Sequence, residues 1–198
     1  MLNLIRQNKM STQSINIHLV GLSGSLRKTS YNTALLKAAQ ELLPEQVTIE
    51  IAQIGNLPFY NSDIDGELRP ESVKDFRNIL AKADGFVVVS PEYNYSVPGV
   101  LKNAIDWASR GGKDSPLFGK PIALMGATNG MWGTTRMQAA FRPIFQGLNM
   151  FPVNKPEVLV AQVQTKFDAN LQLSDEQTKN IVRQQLEELK KMALQFKN

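Results

Sequence analysis

Short apolar runs and longer amphipathic segments take turns along nearly the whole chain. Apolar runs at 15–22, 47–51, 86–89, 121–125 and 157–160 predict strands. Between the first of them, apolar residues recur at helical spacing: Ala34, Leu35, Ala38, Ala39, Leu42 and Leu43, then Val73, Phe76, Ile79, Leu80 and Ala83. Gly85 is placed to end that second helix in the left-handed conformation. Val100, Leu101, Ala104, Ile105 and Ala108 predict a third helix, with Pro98 near its first turn. A fourth carries Met137, Ala140, Phe141, Ile144, Phe145 and Leu148 and is expected to kink at Pro143. The last buries Ile181, Val182, Leu186, Leu189, Met192 and Ala193 behind a capping box at 174–177. Five strands alternating with five helices predict an α/β protein, a parallel sheet with helices on both faces. Right-handed crossovers then leave few topologies.

Composition narrows the chemistry. The chain has no cysteine, which removes disulfides, thiol catalysis, iron–sulfur clusters and cysteine zinc sites together. Its single histidine, His18, lies inside the first strand run and reads as a strand residue, which removes multi-histidine metal sites. Carboxylate-only magnesium or calcium sites stay open, but no calcium-loop spacing occurs and no metal is expected. With 198 residues, 42% of them hydrophobic, the expectation is one domain over 15–198. Residues 1–14 are polar, lack a signal-peptide core and read as a mobile arm. No stretch approaches the roughly 18 apolar residues of a membrane span, so a cytoplasmic protein is expected. A net charge of +4 suits anionic small molecules, and no basic run interleaved with aromatics points to nucleic acid.

In an open parallel sheet, ligands sit beyond the carboxyl ends of the strands, near the point where the winding reverses. Three loops leave such strand ends. The first, "SGSLRKTSYN", offers a helix N-terminus, the short donors Ser25, Ser30 and Asn32, and the forked donor Arg27, a set that fits a phosphate. A plain capped turn, with Ser30 as the cap and Arg27 in solvent, is the alternative. It is neither a Walker loop, since Gly119-Lys120-Pro121 breaks that pattern, nor a G-x-G-x-x-G fingerprint.

The second loop, within "SPEYNYSVPGVLKNAIDW", sets Tyr93 and Tyr95 as flat faces for a planar ring. Pro91 and Pro98 stiffen its ends, Gly99 gives room for a close approach, and backbone groups around Glu92, Asn94 and Ser96 can pair with ring heteroatoms. The tyrosines also suit a subunit contact. The third, "GATNGMWGTTR", brings Thr128, Asn129 and Gly130 to the other edge of such a ring, with Trp132 to stack or to fill a contact. A phosphate held by one loop and a planar heterocycle by the other two describe flavin mononucleotide, FMN.

"GSLRKTSYN" and "PEYNYSVPGVLKNAIDWASR" resemble the NADPH-dependent FMN reductases, a flavodoxin-like family that includes quinone, chromate and azo-dye reductases. The resemblance runs from about residue 15 to 160. It implies a three-layer sandwich with a five-stranded parallel sheet in the order 2-1-3-4-5. It also implies non-covalent FMN, with phosphate contacts at Ser25, Arg27, Ser30 and Asn32. The ring contacts fall at Pro91, Glu92, Tyr93, Asn94, Tyr95 and Ser96, and at Thr128, Asn129 and Gly130. It implies homodimers or homotetramers with the flavin at a subunit boundary. Relatives often carry two adjacent glycines before the arginine of the third loop, where Gly133-Thr134-Thr135-Arg136 stands here.

The expected activity is hydride transfer from NADPH or NADH through FMN to a quinone, free flavin, azo compound or similar acceptor, with no side-chain catalyst. The main rival is a non-enzymatic flavin carrier or redox-responsive protein. Carriers of this fold tend to be strongly acidic, which a charge of +4 opposes. A serine hydrolase built on "GLSGS" is set aside, because Ser25 replaces the last glycine of the nucleophile elbow and no histidine follows.

Overall fold

The computed structural model describes residues 15–197. The expectation of a mobile arm over 1–14 lies outside the described residues. Six parallel strands form one sheet: β1 (Ile17–Ser23), β2 (Val47–Ala52), β3 (Gly85–Val89), β4 (Pro121–Ala127), β5 (Phe151–Pro152) and β6 (Val158–Val160). The order is β2-β1-β3-β4-β5, the doubly wound order with its reversal between β1 and β3. The expected strand at 157–160 is β6, and a two-residue strand that the periodicity does not predict, β5, precedes it. β5 pairs with the start of β4, and β6 pairs with its end.

Helices cover both faces. α1 (Tyr31–Glu41) and α5 (Glu176–Lys197) bury Leu35, Leu36, Val182, Leu186 and Leu189 against one face, with Val87, Val89 and Met125 of the sheet beneath them. α2 (Glu71–Ala81), α3 (Gly99–Ala108) and α4 (Thr135–Gly147) bury Phe76, Leu80, Leu101, Ile105, Phe141 and Phe145 against the other. β3 is buried at every position, as a central parallel strand requires. α4 continues through Pro143 to Gly147.

Two local expectations are corrected. Gly85 does not cap α2; it opens β3, where an added Cβ would lie 3.1 Å from the Pro121 carbonyl oxygen, so closeness between strands is the reason for glycine. The cap of α5 is Asp175, not Ser174. Its carboxylate accepts from the Thr178 N–H at 2.9 Å, while the Ser174 hydroxyl donates to the Lys166 carbonyl at 3.2 Å.

Hydrogen bonds from the Thr178 hydroxyl, and then from Lys166, hold the Asp175 carboxyl down at about 2. A carboxyl depressed on folding stabilises above its unfolded value, near 4, and that contribution disappears as pH falls through 2. Asp175→Asn is therefore expected to lose about 1–2 kcal/mol at pH 7, after allowance for partial exposure. The difference from the unaltered protein should close between pH 4 and pH 2 in a denaturation series.

Candidate functional site

All three unusual loops meet at the carboxyl edge of β1, β3 and β4. They enclose a cleft of about 220 Å³ lined by Ser25, Arg27, Ser30, Tyr31, Asn32, Pro91, Glu92, Tyr93, Ala127, Thr128, Asn129 and Val163. Nine of the expected residues line it, and Asn94, Tyr95, Ser96 and Gly130 stand outside its wall. Tyr31, Ala127 and Val163 complete the wall. Tyr31 directly follows the helix cap and was there to be read; Val163 arrives only through the fold.

The first loop keeps its donors unevenly available. Ser30 caps α1, its hydroxyl accepting from the Thr33 N–H at 3.3 Å. The Ser25 and Arg27 N–H groups reach only serine hydroxyls at 3.4 Å, near the limit of a hydrogen bond, so both can turn to a stronger acceptor. Arg27 folds onto Thr29, donating to its carbonyl at 3.0 Å and to its hydroxyl at 3.1 Å.

Asn32 is engaged elsewhere. Its amide oxygen accepts from the Ala127 N–H at 2.8 Å, and its Nδ2–H donates to the Ala127 carbonyl at 2.9 Å. The buried side chain thus ties the first turn of α1 to the last residue of β4 and holds two walls of the cleft together.

The second loop is a tight hairpin. Tyr93 and Ser96 exchange both backbone hydrogen bonds, 3.1 and 3.0 Å, around Asn94 and Tyr95 at φ of 49° and 65°. Two consecutive positive φ values at non-glycine residues are uncommon, and here the closed pair enforces them. The pairing also uses the Ser96 N–H that sequence reasoning left open to a ligand. Behind the hairpin, the helical half of the motif fastens a neighbouring loop. The Asn103 amide accepts from the Tyr60 N–H at 2.7 Å and donates to the Pro58 carbonyl at 2.9 Å, and the Trp107 indole N–H donates to Pro58 at 2.7 Å.

Glu92 links the second loop to the third. Its carboxylate accepts from the Arg136 N–H at 2.9 Å, the Met137 N–H at 3.1 Å and Arg136 Nη1–H at 3.2 Å, at the N-terminus of α4. The Arg136 guanidinium then lies 4.1 Å over Tyr95 and 5.5 Å from the Trp132 ring. Tyr95 and Trp132 are each 69% exposed, an aromatic rim beside the cleft. Thr134 directly precedes α4 as its cap residue. It is buried at φ 66°, and its hydroxyl has no hydrogen-bond partner among the described residues.

The chemistry of the donor set fits FMN. Of the residues lining the cleft, only Glu92 is a carboxylate, and it is turned to α4. What remains at one end is hydroxyl, N–H and guanidinium, which suit a phosphate; at the other, Pro91 and Tyr93 offer apolar faces. Among the described residues no cluster of histidine and acidic side chains could hold a metal ion.

The sequence profile of the family described as NADPH-dependent FMN reductase matches residues 17–165. The chain belongs to that family. Membership makes it an oxidoreductase of a family defined by FMN and NADPH. The chain is 44% identical over 176 residues to an NAD(P)H-dependent FMN reductase of Pseudomonas aeruginosa, covering 89% of this chain and 95% of that one. It is 41% identical over 194 residues to an NAD(P)H:quinone oxidoreductase of Solanum tuberosum, covering 95% and 98%. Among solved structures, the flavoenzyme NAD(P)H:(acceptor) oxidoreductase of Paracoccus denitrificans superposes with a TM-score of 0.82 at 30% identity, over 91% of this chain and 98% of that one. No described helix of this family member is long and apolar enough to cross a membrane.

Proposed function

We propose that this chain is an NAD(P)H-dependent quinone reductase that works through FMN bound in the cleft. The observation that carries the reading is a cleft with phosphate-binding donors at one end, an aromatic face at the other and no carboxylate left to repel an anion. Bound there, FMN would supply the two-electron relay between nicotinamide and acceptor.

The chain's own part is positioning. The Ser25 and Arg27 N–H groups and the α1 N-terminus hold the phosphate, with Arg27 released from Thr29 to add a charged donor. Pro91 and Tyr93 support one side of the ring. Thr128 and Asn129 meet its edge on a loop stitched to β6 and the segment after it, through Thr128 N–H to Val160 at 2.9 Å and Val163 N–H to Thr128 at 3.1 Å. Asn94, Tyr95, Ser96 and Gly130 lie beyond the cleft wall and act on the exposed side, where the acceptor enters. A flat, open site of this kind takes quinones and other planar acceptors. The exposed Tyr95 and Trp132 suit a subunit boundary in a homodimer or homotetramer.

Purified protein is expected to be yellow, to bleach with NADPH under anaerobic conditions and to recover its colour with a quinone. Arg27→Ala should weaken FMN binding by about 1.5–3 kcal/mol, the range for a hydrogen bond to a charged group. Protein that cannot be loaded with FMN, or an Arg27→Ala variant of unchanged affinity, would sink the assignment.

A further inference from the structure

NADPH differs from NADH by a 2′-phosphate, a dianion that needs cations other than those serving FMN. Most cations around the carboxyl edge of the sheet are already engaged. Arg136 is held by Glu92 at 3.2 Å, Lys102 by Asp106 at 2.6 Å and Lys166 by Asp175 at 2.9 Å. Lys28 and Lys37 are different. Both are exposed, and neither forms an ion pair or a side-chain hydrogen bond among the described residues.

These two lysines line one cleft of about 140 Å³, with Thr33 beside them. Ser30 belongs to the wall of this cleft and of the FMN cleft, so the two adjoin. The opposite wall, residues 170–172, is preformed. Asp168 Oδ1 accepts from the Asn170 and Gln172 N–H groups at 2.9 and 2.8 Å, and the Asp168 N–H donates to the Gln172 carbonyl at 2.9 Å. Phe167 then packs its ring 5.4 Å from that of Tyr31, which fastens the wall to α1. Glu41 is the single carboxylate lining the cleft, against two ammonium groups, so the cleft keeps a net positive charge.

We propose that this second cleft takes the adenosine 2′-phosphate of NADPH, with Lys28 and Lys37 as its counter-charges, and so selects NADPH over NADH. The inference rests on the proposed function, since the nicotinamide must reach the adjoining cleft. Lys37 stands on α1 outside the FMN phosphate loop, so it separates the two roles. Its ammonium would act as a point charge on a mobile stem, which suits a solvent-facing phosphate.

The test uses FMN-loaded protein, the Lys37→Met variant and the Lys28→Met/Lys37→Met double variant. The double variant is expected to raise KM for NADPH by about 10–100-fold, the scale of lost charged hydrogen bonds. Lys37→Met should carry part of that loss and leave the constants for NADH within about twofold. By calorimetry, unaltered protein should bind 2′,5′-ADP more tightly than 5′-AMP, with a preference that shrinks as salt rises. Equal binding of the two nucleotides, or equal losses for NADPH and NADH in Lys37→Met, would overturn the proposal. If loaded protein oxidised neither nicotinamide nucleotide, the proposed function would fail, and the 2′,5′-ADP titration would still decide this site.

Discussion

Asn32→Ala is expected to destabilise the protein by about 3–5 kcal/mol and to lower its Tm by about 10–15 °C. The side chain is buried, and both of its hydrogen bonds go to the backbone of Ala127. Alanine would leave a buried N–H and a buried carbonyl unsatisfied, and each costs about 1–3 kcal/mol. A cavity the size of the lost amide adds to that. Asn32→Asp separates the two bonds. One carboxylate oxygen can still accept from the Ala127 N–H, but the other would face the Ala127 carbonyl oxygen. It should therefore do no better than alanine despite its nearly identical shape. Thermal melts of both variants check this, and an Asn32→Ala Tm within about 3 °C of the unaltered protein would remove Asn32 from its place between α1 and β4. FMN retention should fall in parallel, because the same pair of bonds holds the phosphate loop against the β4 edge.

Glu92→Ala should cost about 1–2 kcal/mol, mostly the lost cap on α4, because the Arg136 guanidinium it leaves unpaired is 38% exposed to water. Its carboxylate serves two N–H groups of α4 and the Arg136 side chain at once, and it is 14% exposed. The hairpin carrying Tyr93 and Tyr95 would lose its tie to α4, so the loss should be felt in the ring-binding half of the cleft. Glu92→Gln keeps an acceptor for the α4 N–H groups but turns an amide N–H towards Arg136, and it should fall between the two. Binding of FMN followed by flavin fluorescence is expected to weaken more for alanine than for glutamine. Equal FMN affinity in all three proteins would leave Glu92 a helix cap and nothing more.

Both predictions concern residues that the sequence places among the ligand contacts and that the structure also bonds within the protein. Asn32 and Glu92 were chosen because a short amide in a phosphate loop and a carboxylate in a ring loop are polar groups in the right place. The structure bonds both to backbone, 95 residues away for Asn32 and 44 and 45 for Glu92, and Glu92 to the Arg136 side chain as well. In the sequence Arg136 is only the end of the third loop; its pairing with Glu92 and its place over Tyr95 depend on β3 and β4 being neighbours. The additional strand β5 has the same origin. β5 and β6 pair with opposite ends of β4, and no periodicity shows within the two residues of β5.

Local rules did decide a good deal. The spacing of apolar residues set the strand and helix faces, because burial acts on each element at its own period. Alternation of the two set a parallel sheet, and loops crowded with short donors and aromatic residues make its carboxyl edge the expected place for a ligand. The order 2-1-3-4-5 came from resemblance and stands in the structure. What a sequence cannot contain is the partner of each polar group. A hydrogen bond is made at about 3 Å between atoms that the sheet order brings together, so which of the loop residues hold the loops to one another was decided only by the tertiary structure.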